Sequence, residues 1–406
     1  MIYLTRCVYY SPIHACCIRI TLEVLNKKLV YSANIPISNR MSRKLKLRSA
    51  TKSQMAPKLK VLPLTLASSS KIQALDGLRA ISITLVIMLH TVDSGSVGPG
   101  KFANFAAYGD FGVYIFFVLS GFLISRSIFL EEKQWGTFSL SHFYIRRIFR
   151  ILPAAFSYLL FIAIVSRVYP INLRLQQWLP ALLFFKNIVP GTVVLDHYWS
   201  LSVEEQFYLV FPLLLYFIRN QSARLILLSS LVLAWPFWYY FVTKDQYVGW
   251  TFWRTDIAIG WILMGCLLSG LTQSPFWSRI LTKLQLHSDI SFIIVVSLLI
   301  SSFWTAKYLT WVVFVRACLV AAIIYYLVSN PNRGASRLLS IKALTLLGQW
   351  SYSLYIWQQF FIRENQGYWF QRLPINIFIS LGCAIVSYYA IEKPVLAFYK
   401  NRVRKI

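Results

Sequence analysis

The chain of 406 residues is 57% hydrophobic and 17% aromatic, with 14% charged residues and a formal net charge of +27. A soluble domain needs about a quarter of its residues charged to cover its surface, so the composition excludes an ordinary water-soluble fold. Six cysteines are scattered, with no CxxC pair and no Cys/His spacing suited to zinc, so neither a disulfide framework nor a metal site is expected.

Windows of about 19 residues pick out ten apolar segments, near 75–92, 110–130, 150–168, 200–218, 223–242, 255–271, 289–305, 309–329, 344–362 and 374–391. With the N-terminus placed inside, fourteen of the 41 Lys and Arg residues fall at or before Arg79 and seventeen in the even-numbered connections and tail, against nine outside and Arg316 within a segment. That is the positive-inside pattern. The expected fold is therefore all-α, a polytopic membrane helix bundle of about ten transmembrane helices with both termini cytoplasmic. Membrane topology and anionic headgroups account for the positive charge, and no nucleic-acid partner is expected. The basic residues 1–70 are expected to form a cytoplasmic arm without fixed structure, in which Met41 or Met55 could be the true start. The bundle runs from 73 to 396, and residues 397–406 form a basic cytoplasmic tail.

The first segment, LDGLRAISITLVIMLH, carries Arg79 and His90 eleven residues apart. In an α-helix that is three turns plus about 20°, so both side chains share one face roughly 16 Å apart. An ionisable side chain in hydrocarbon costs about 2.5–3.5 kcal/mol and normally faces a bundle interior or a watery cavity, which makes the pair the first candidate for chemistry. In FGVYIFFVLSGFLISR, Gly112 and the Ser120/Gly121 pair permit close helix approach. FYIRRIFRILP places Arg147 and Arg150 three apart on one helix face. Their guanidinium forks suit phosphate recognition; a topology anchor or headgroup site is the competing reading. Residues 169–199 are too short and proline-broken to span, and fit an interfacial or re-entrant segment.

HYWSLSVEEQFYLVFPLLL sets Glu204 and Glu205 just inside the next span. Adjacent helical residues diverge by about 100°, so only one carboxylate faces a shared cavity. Ser200, Glu204 and Tyr208 lie on one face. Glu204 either offsets Arg79 or Arg316 or positions a hydroxyl-bearing substrate. Arg254 and Asp256 make an interfacial ion pair at the outer end of the sixth span, and Arg316 needs an internal partner. LLGQWSYSLYIWQQFFI concentrates hydrogen-bonding groups, Tyr352 among them, that either join helices or line a sugar-accepting cavity. IEKP closes the last span with Glu392.

Taken in order, these segments resemble the acyltransferase-3 group of integral-membrane sugar O-acyltransferases over about residues 73–396. LDGLRAISITLVIMLH resembles that family's opening helix with its R-x10-H motif, FFVLSGFLISR its second helix and RRIFRILPA its basic RxxR segment. WSLSVEEQFYLVFP, RTDIAIGWILMGCLLSG, SYSLYIW and IEKP follow in the family's order. The resemblance implies a multi-pass enzyme of the cell (inner or plasma) membrane. It would move an acyl group, commonly acetyl from acetyl-CoA, to a hydroxyl of an envelope or secreted glycan or glycolipid. No permanently bound cofactor is implied; acetyl-CoA or another acyl-CoA is the donor substrate. Carried onto this chain, His90, Arg79 and Glu204 are the catalytic candidates, Arg147 and Arg150 the donor-binding candidates, and Trp199, Asp256 and Tyr352 the acceptor-binding candidates. Histidine, with a reference pKa near 6.5, can take the proton of an attacking hydroxyl. One departure stands out: Gln358 follows Trp357 where the family often has histidine, so His90 is expected to act without a second histidine at that position. With the chain ending soon after the tenth span, a partner hydrolase or second transferase is expected on a separate polypeptide. A proton-coupled carrier is the alternative from another class, but the inverted repeats that would favour it are not evident.

Overall fold

The computed structural model describes residues 72–403, apart from 99, 107, 170, 172, 190, 245–248, 284–287, 305–309 and 364–366. The expected N-terminal arm and the last three residues of the tail lie outside the described residues. Every long element is a helix, as a chain that must satisfy its backbone within hydrocarbon requires. The principal helices are α1 (Gln73–Asp93), α2 (Phe111–Trp135), α3 (Leu140–Val165), α4 (Tyr198–Phe217) and α5 (Gln221–Thr243). They continue with α6 (Thr255–Gln273), α7 (Asp289–Ser301), α8 (Thr310–Ser329), α9 (Lys342–Gln358) and α10 (Ile375–Ser387). Local chemistry sets several ends. Ser139 Oγ accepts from the His142 amide at 3.3 Å to start α3, and Asn220 Oδ1 accepts from the Ala223 amide at 3.0 Å to start α5. Gly136, at φ 75°, supplies the left-handed residue that ends α2.

Ten helices match the ten apolar segments, but among the described residues seven are long and apolar enough to cross a membrane: α1, α2, α3, α5, α6, α8 and the α10 region. The other three differ for identifiable reasons. Helix α4 carries Glu204, Glu205 and Gln206, α7 is 13 residues long and α9 is 17, short of the roughly 20 residues that span hydrocarbon. The connection between α3 and α4 holds two short helices, Leu175–Leu182 and Val193–Asp196, neither long enough to span.

Helices α2 and α6 pack backbone against backbone. A Cβ on Gly121 would sit 1.9 Å from the Ile262 carbonyl oxygen, and one on Gly265 would sit 2.0 Å from that of Val118. Lacking side chains, these glycines let two backbones touch, a mode of packing that does not depend on water exclusion. Helix α1 packs between α9 and α2, which carries Arg79 and His90 into the bundle. Arg316 finds its internal partners on the residue after α7: its guanidinium donates to the Ser302 carbonyl at 2.7 Å and Ser302 Oγ at 3.1 Å, and lies 4.7 Å from the centre of the Phe303 ring.

Candidate active site

The residues singled out on α1 lie in two groups along the helix. Around Arg79, side chains from α2, α3 and α4 converge. Glu204 accepts a hydrogen bond from Ser120 Oγ at 2.7 Å, and Arg79 interacts electrostatically with Asp76, Arg150 and Glu204. The Arg147 guanidinium lies 4.9 Å from the centre of the Tyr208 ring, a cation–π contact that restrains one face of the fork. Arg79 Nε is buried without a hydrogen-bond partner among the described residues. Arg150 is exposed and Arg147 half-buried, so the pair presents cationic donors from the bundle's edge inward. Arg146, on another face, pairs with Glu131 at 3.0 Å. Of the two α4 carboxylates, Glu204 interacts with Arg79, while Glu205, whose Oε1 is buried without a hydrogen-bond partner among the described residues, interacts electrostatically with Arg147 and Glu204.

His90 has different neighbours. Its Nδ1 lies 2.8 Å from Gln358 Oε1 at the end of α9. Gln358 is fully buried, and its amide nitrogen donates to the Tyr355 carbonyl and to Gln359 Oε1, both at 3.3 Å. Those two acceptors fix which way the amide points, so an oxygen faces the imidazole. An oxygen can only accept, so Nδ1 carries the hydrogen and Nε2 holds a free lone pair. Beyond Gln358 the chain makes a π-helical turn, Gln359–Arg363, whose Gln359 donates to the Val193 carbonyl. Arg363, the last residue of that turn, reaches Asp93 at the end of α1 at 3.4 Å, a second bridge to α1.

The remaining predicted residues are placed as follows. Trp199 stacks on Trp253, with ring centres 5.7 Å apart and planes 7° apart, and meets Phe117 edge-on. Tyr352 donates its hydroxyl to the Ile151 carbonyl at 2.7 Å, one residue beyond Arg150. Asp256 is bound to Arg254 at 2.8 and 3.0 Å and accepts from Trp238 Nε1 at 2.9 Å, so this carboxylate is committed away from both groups. Glu204 has Ser120 and the arginines for neighbours, Arg79 among them.

Sequence reasoning set Gln358 aside because an amide cannot shuttle protons; its role as a hydrogen-bond acceptor needed the contact across 268 positions. His197 immediately precedes α4. It is buried, ringed by Tyr158, Tyr198 and Tyr355, and neither ring nitrogen has a partner among the described residues. Ser200 and Tyr355 share a 2.7 Å hydrogen bond beside it. Glu392 of IEKP accepts from Ser353, tying the last span to α9. Among the described residues no group of three or more His, Cys, Asp or Glu side chains could hold a metal ion.

A family model described as Acyltransferase domain matches residues 72–406. The O-acetyltransferase OatA of Staphylococcus aureus (strain NCTC 8325 / PS 47) is 28% identical over 361 residues, 79% of this chain and 56% of the relative. The protein of the same name from strain COL gives the same figures. The chain spans about half the length of these curated relatives. No solved structure matches it.

Proposed function

Because the chain belongs to the Acyltransferase domain family, we propose that this multi-pass membrane protein is an O-acyltransferase with His90 as its general base. In this reading it moves an acyl group, acetyl in the first instance, from acyl-CoA to a hydroxyl of an envelope or secreted glycan or glycolipid. The observation that carries the reading is the 2.8 Å contact of His90 Nδ1 with Gln358 Oε1, which leaves Nε2 as the proton acceptor. The acceptor hydroxyl attacks the thioester carbonyl as Nε2 takes its proton. The carbon–oxygen bond forms, the carbon–sulfur bond breaks, and the proton passes to the departing thiolate to give free coenzyme A.

Arg147 and Arg150 would take the donor's phosphates at the cytoplasmic face, where positive-inside charge places them. The thioester sits at the far end of an extended donor chain, so it can act near His90 while the phosphates stay by the arginines, about 16 Å back along α1. Arg79, held with Glu204, lies on that path and is assigned to guiding the donor. Trp199, Tyr352 and Asp256 are proposed to contact the acceptor, Asp256 only after exchanging its present partners.

His90→Ala, expressed at wild-type level and inserted in the membrane, is expected to lower ester-linked acetate on the cell's glycans by about 10²–10⁴-fold, the usual weight of a general base. Mass spectrometry of the glycans reads this directly. Unchanged acetate would remove His90 from the chemistry.

A further inference from the structure

A cavity of about 420 Å³ lies away from both α1 groups, where the ends of α2, α4 and α6 meet the start of α5. Its size is in the range of small-molecule sites. Its floor is apolar, with Phe129, Leu225 and the buried Leu228. Arg224, also buried, is fully committed. It pairs with both Glu132 oxygens at 2.5 and 2.8 Å and donates to the Leu215 carbonyl at 2.5 Å, so its charge is neutralised on the spot.

The rim is different. Lys133 and Arg219 line the same cavity and have no carboxylate partner among the described residues. Gln273 Nε2, also in the lining, is buried with no hydrogen-bond partner among those residues. An unpaired buried amide donor is costly, and here it shares a cavity with two surplus cations. We propose that this cavity binds the phosphate group of an amphiphilic ligand, with Lys133, Arg219 and Gln273 holding the phosphate and the apolar floor taking adjoining carbon. A phospholipid headgroup at the helix ends and the nucleotide end of the acyl donor both carry that chemistry. The lipid source does not depend on acyl transfer.

The test uses the full chain purified in detergent and supplied separately with phosphatidylglycerol, phosphatidylcholine and acetyl-CoA. Native mass spectrometry reads lipid retention, and equilibrium binding reads the donor. Lys133→Ala/Arg219→Ala and, independently, Gln273→Leu leave the Arg224–Glu132 pair intact, and thermal unfolding verifies the fold. Selective retention of phosphatidylglycerol that falls about tenfold or more in both variants establishes the site with a lipid source. A similar fall in acetyl-CoA affinity, with lipid retention unchanged, establishes it with the donor as source. Wild-type behaviour toward all three ligands in folded variants overturns the proposal.

Discussion

Gly348 of α9 faces Asp76 of α1 so closely that a Cβ at position 348 would sit 1.8 Å from the Asp76 carbonyl oxygen. The same two helices are joined again by His90 and Gln358, so backbone contact at one end and a side-chain hydrogen bond at the other fix how α1 lies along α9. Gly348→Ala must push the helices apart, because the obstacle is backbone. It is expected to cost about 1–3 kcal/mol and to reduce acyl transfer beyond the loss of folded protein. Thermal unfolding in detergent, beside activity per folded molecule, separates the two effects. Unchanged melting and activity would show that α1 tolerates displacement.

Gln358 supplies an acceptor to His90, so its replacements sort by chemistry rather than by size. Gln358→Leu removes the acceptor and leaves the imidazole free to take either tautomer; a fall of roughly 10–100-fold in kcat is expected, smaller than the loss when a charged orienting partner is removed. Gln358→Glu keeps an oxygen facing Nδ1 and should restore most of the rate. Its carboxylate also favours the charged imidazole, so the acid limb of the pH–rate profile should move to higher pH. A purely packing role would make the two variants alike and leave the profile in place.

The two donor-side arginines should act on binding rather than on chemistry. Arg147→Ala/Arg150→Ala is expected to raise KM for acetyl-CoA about tenfold or more, with a smaller change in kcat, since each fork can hold two phosphate oxygens. Arg146→Ala, which removes a guanidinium bound to Glu131 at 3.0 Å, should leave the donor KM near wild type. An equal KM in the double variant would end the phosphate assignment.

In the connection before α4, Lys186 is completely enclosed, with Nζ 2.8 Å from Thr192 Oγ1 and 3.3 Å from Asp196 Oδ1. Burial holds its pKa below the ordinary lysine value, and Asp196 offsets only part of that. The folded protein therefore binds this proton less tightly than the unfolded chain, so stability from this group rises as pH climbs toward the ordinary lysine value. Asp196 also accepts from the backbone amides of Gly191 and Thr192, so Lys186→Met leaves it satisfied. That variant should melt within about 1 kcal/mol of wild type and lose the alkaline stabilisation. Asp196→Ala strands the buried ammonium and should cost about 3–5 kcal/mol. Melting curves between neutral and alkaline pH decide the matter; equal losses in both variants would contradict it.

What could be read from the residues was what depends on spacing within one element. The shared face of Arg79 and His90, the grouping of Arg147 with Arg150, and the divergence of Glu204 from Glu205 all follow from 3.6 residues per turn. Partners from other helices could not be read. That Glu204 turns to Ser120 and the arginines while His90 turns to Gln358 depends on how α1, α4 and α9 lie side by side, which no local period encodes. The polar face of α4 and the shortness of α7 and α9 likewise make the apolar segments unequal in a way a window average smooths over.

The π-helical turn at Gln359–Arg363 has a consequence for how related chains are aligned. Such a turn holds one residue more than the α-helix would need over the same rise. A relative lacking that residue would keep register with this chain through the end of α9, with everything after the turn rotated by about 100°. Gln358 precedes the turn and keeps its place beside the α1 histidine either way, whereas Arg363, which reaches Asp93, stands at the end of the turn and would shift. A column count from Trp357 therefore slips by one only beyond the turn, wherever the extra residue is absent.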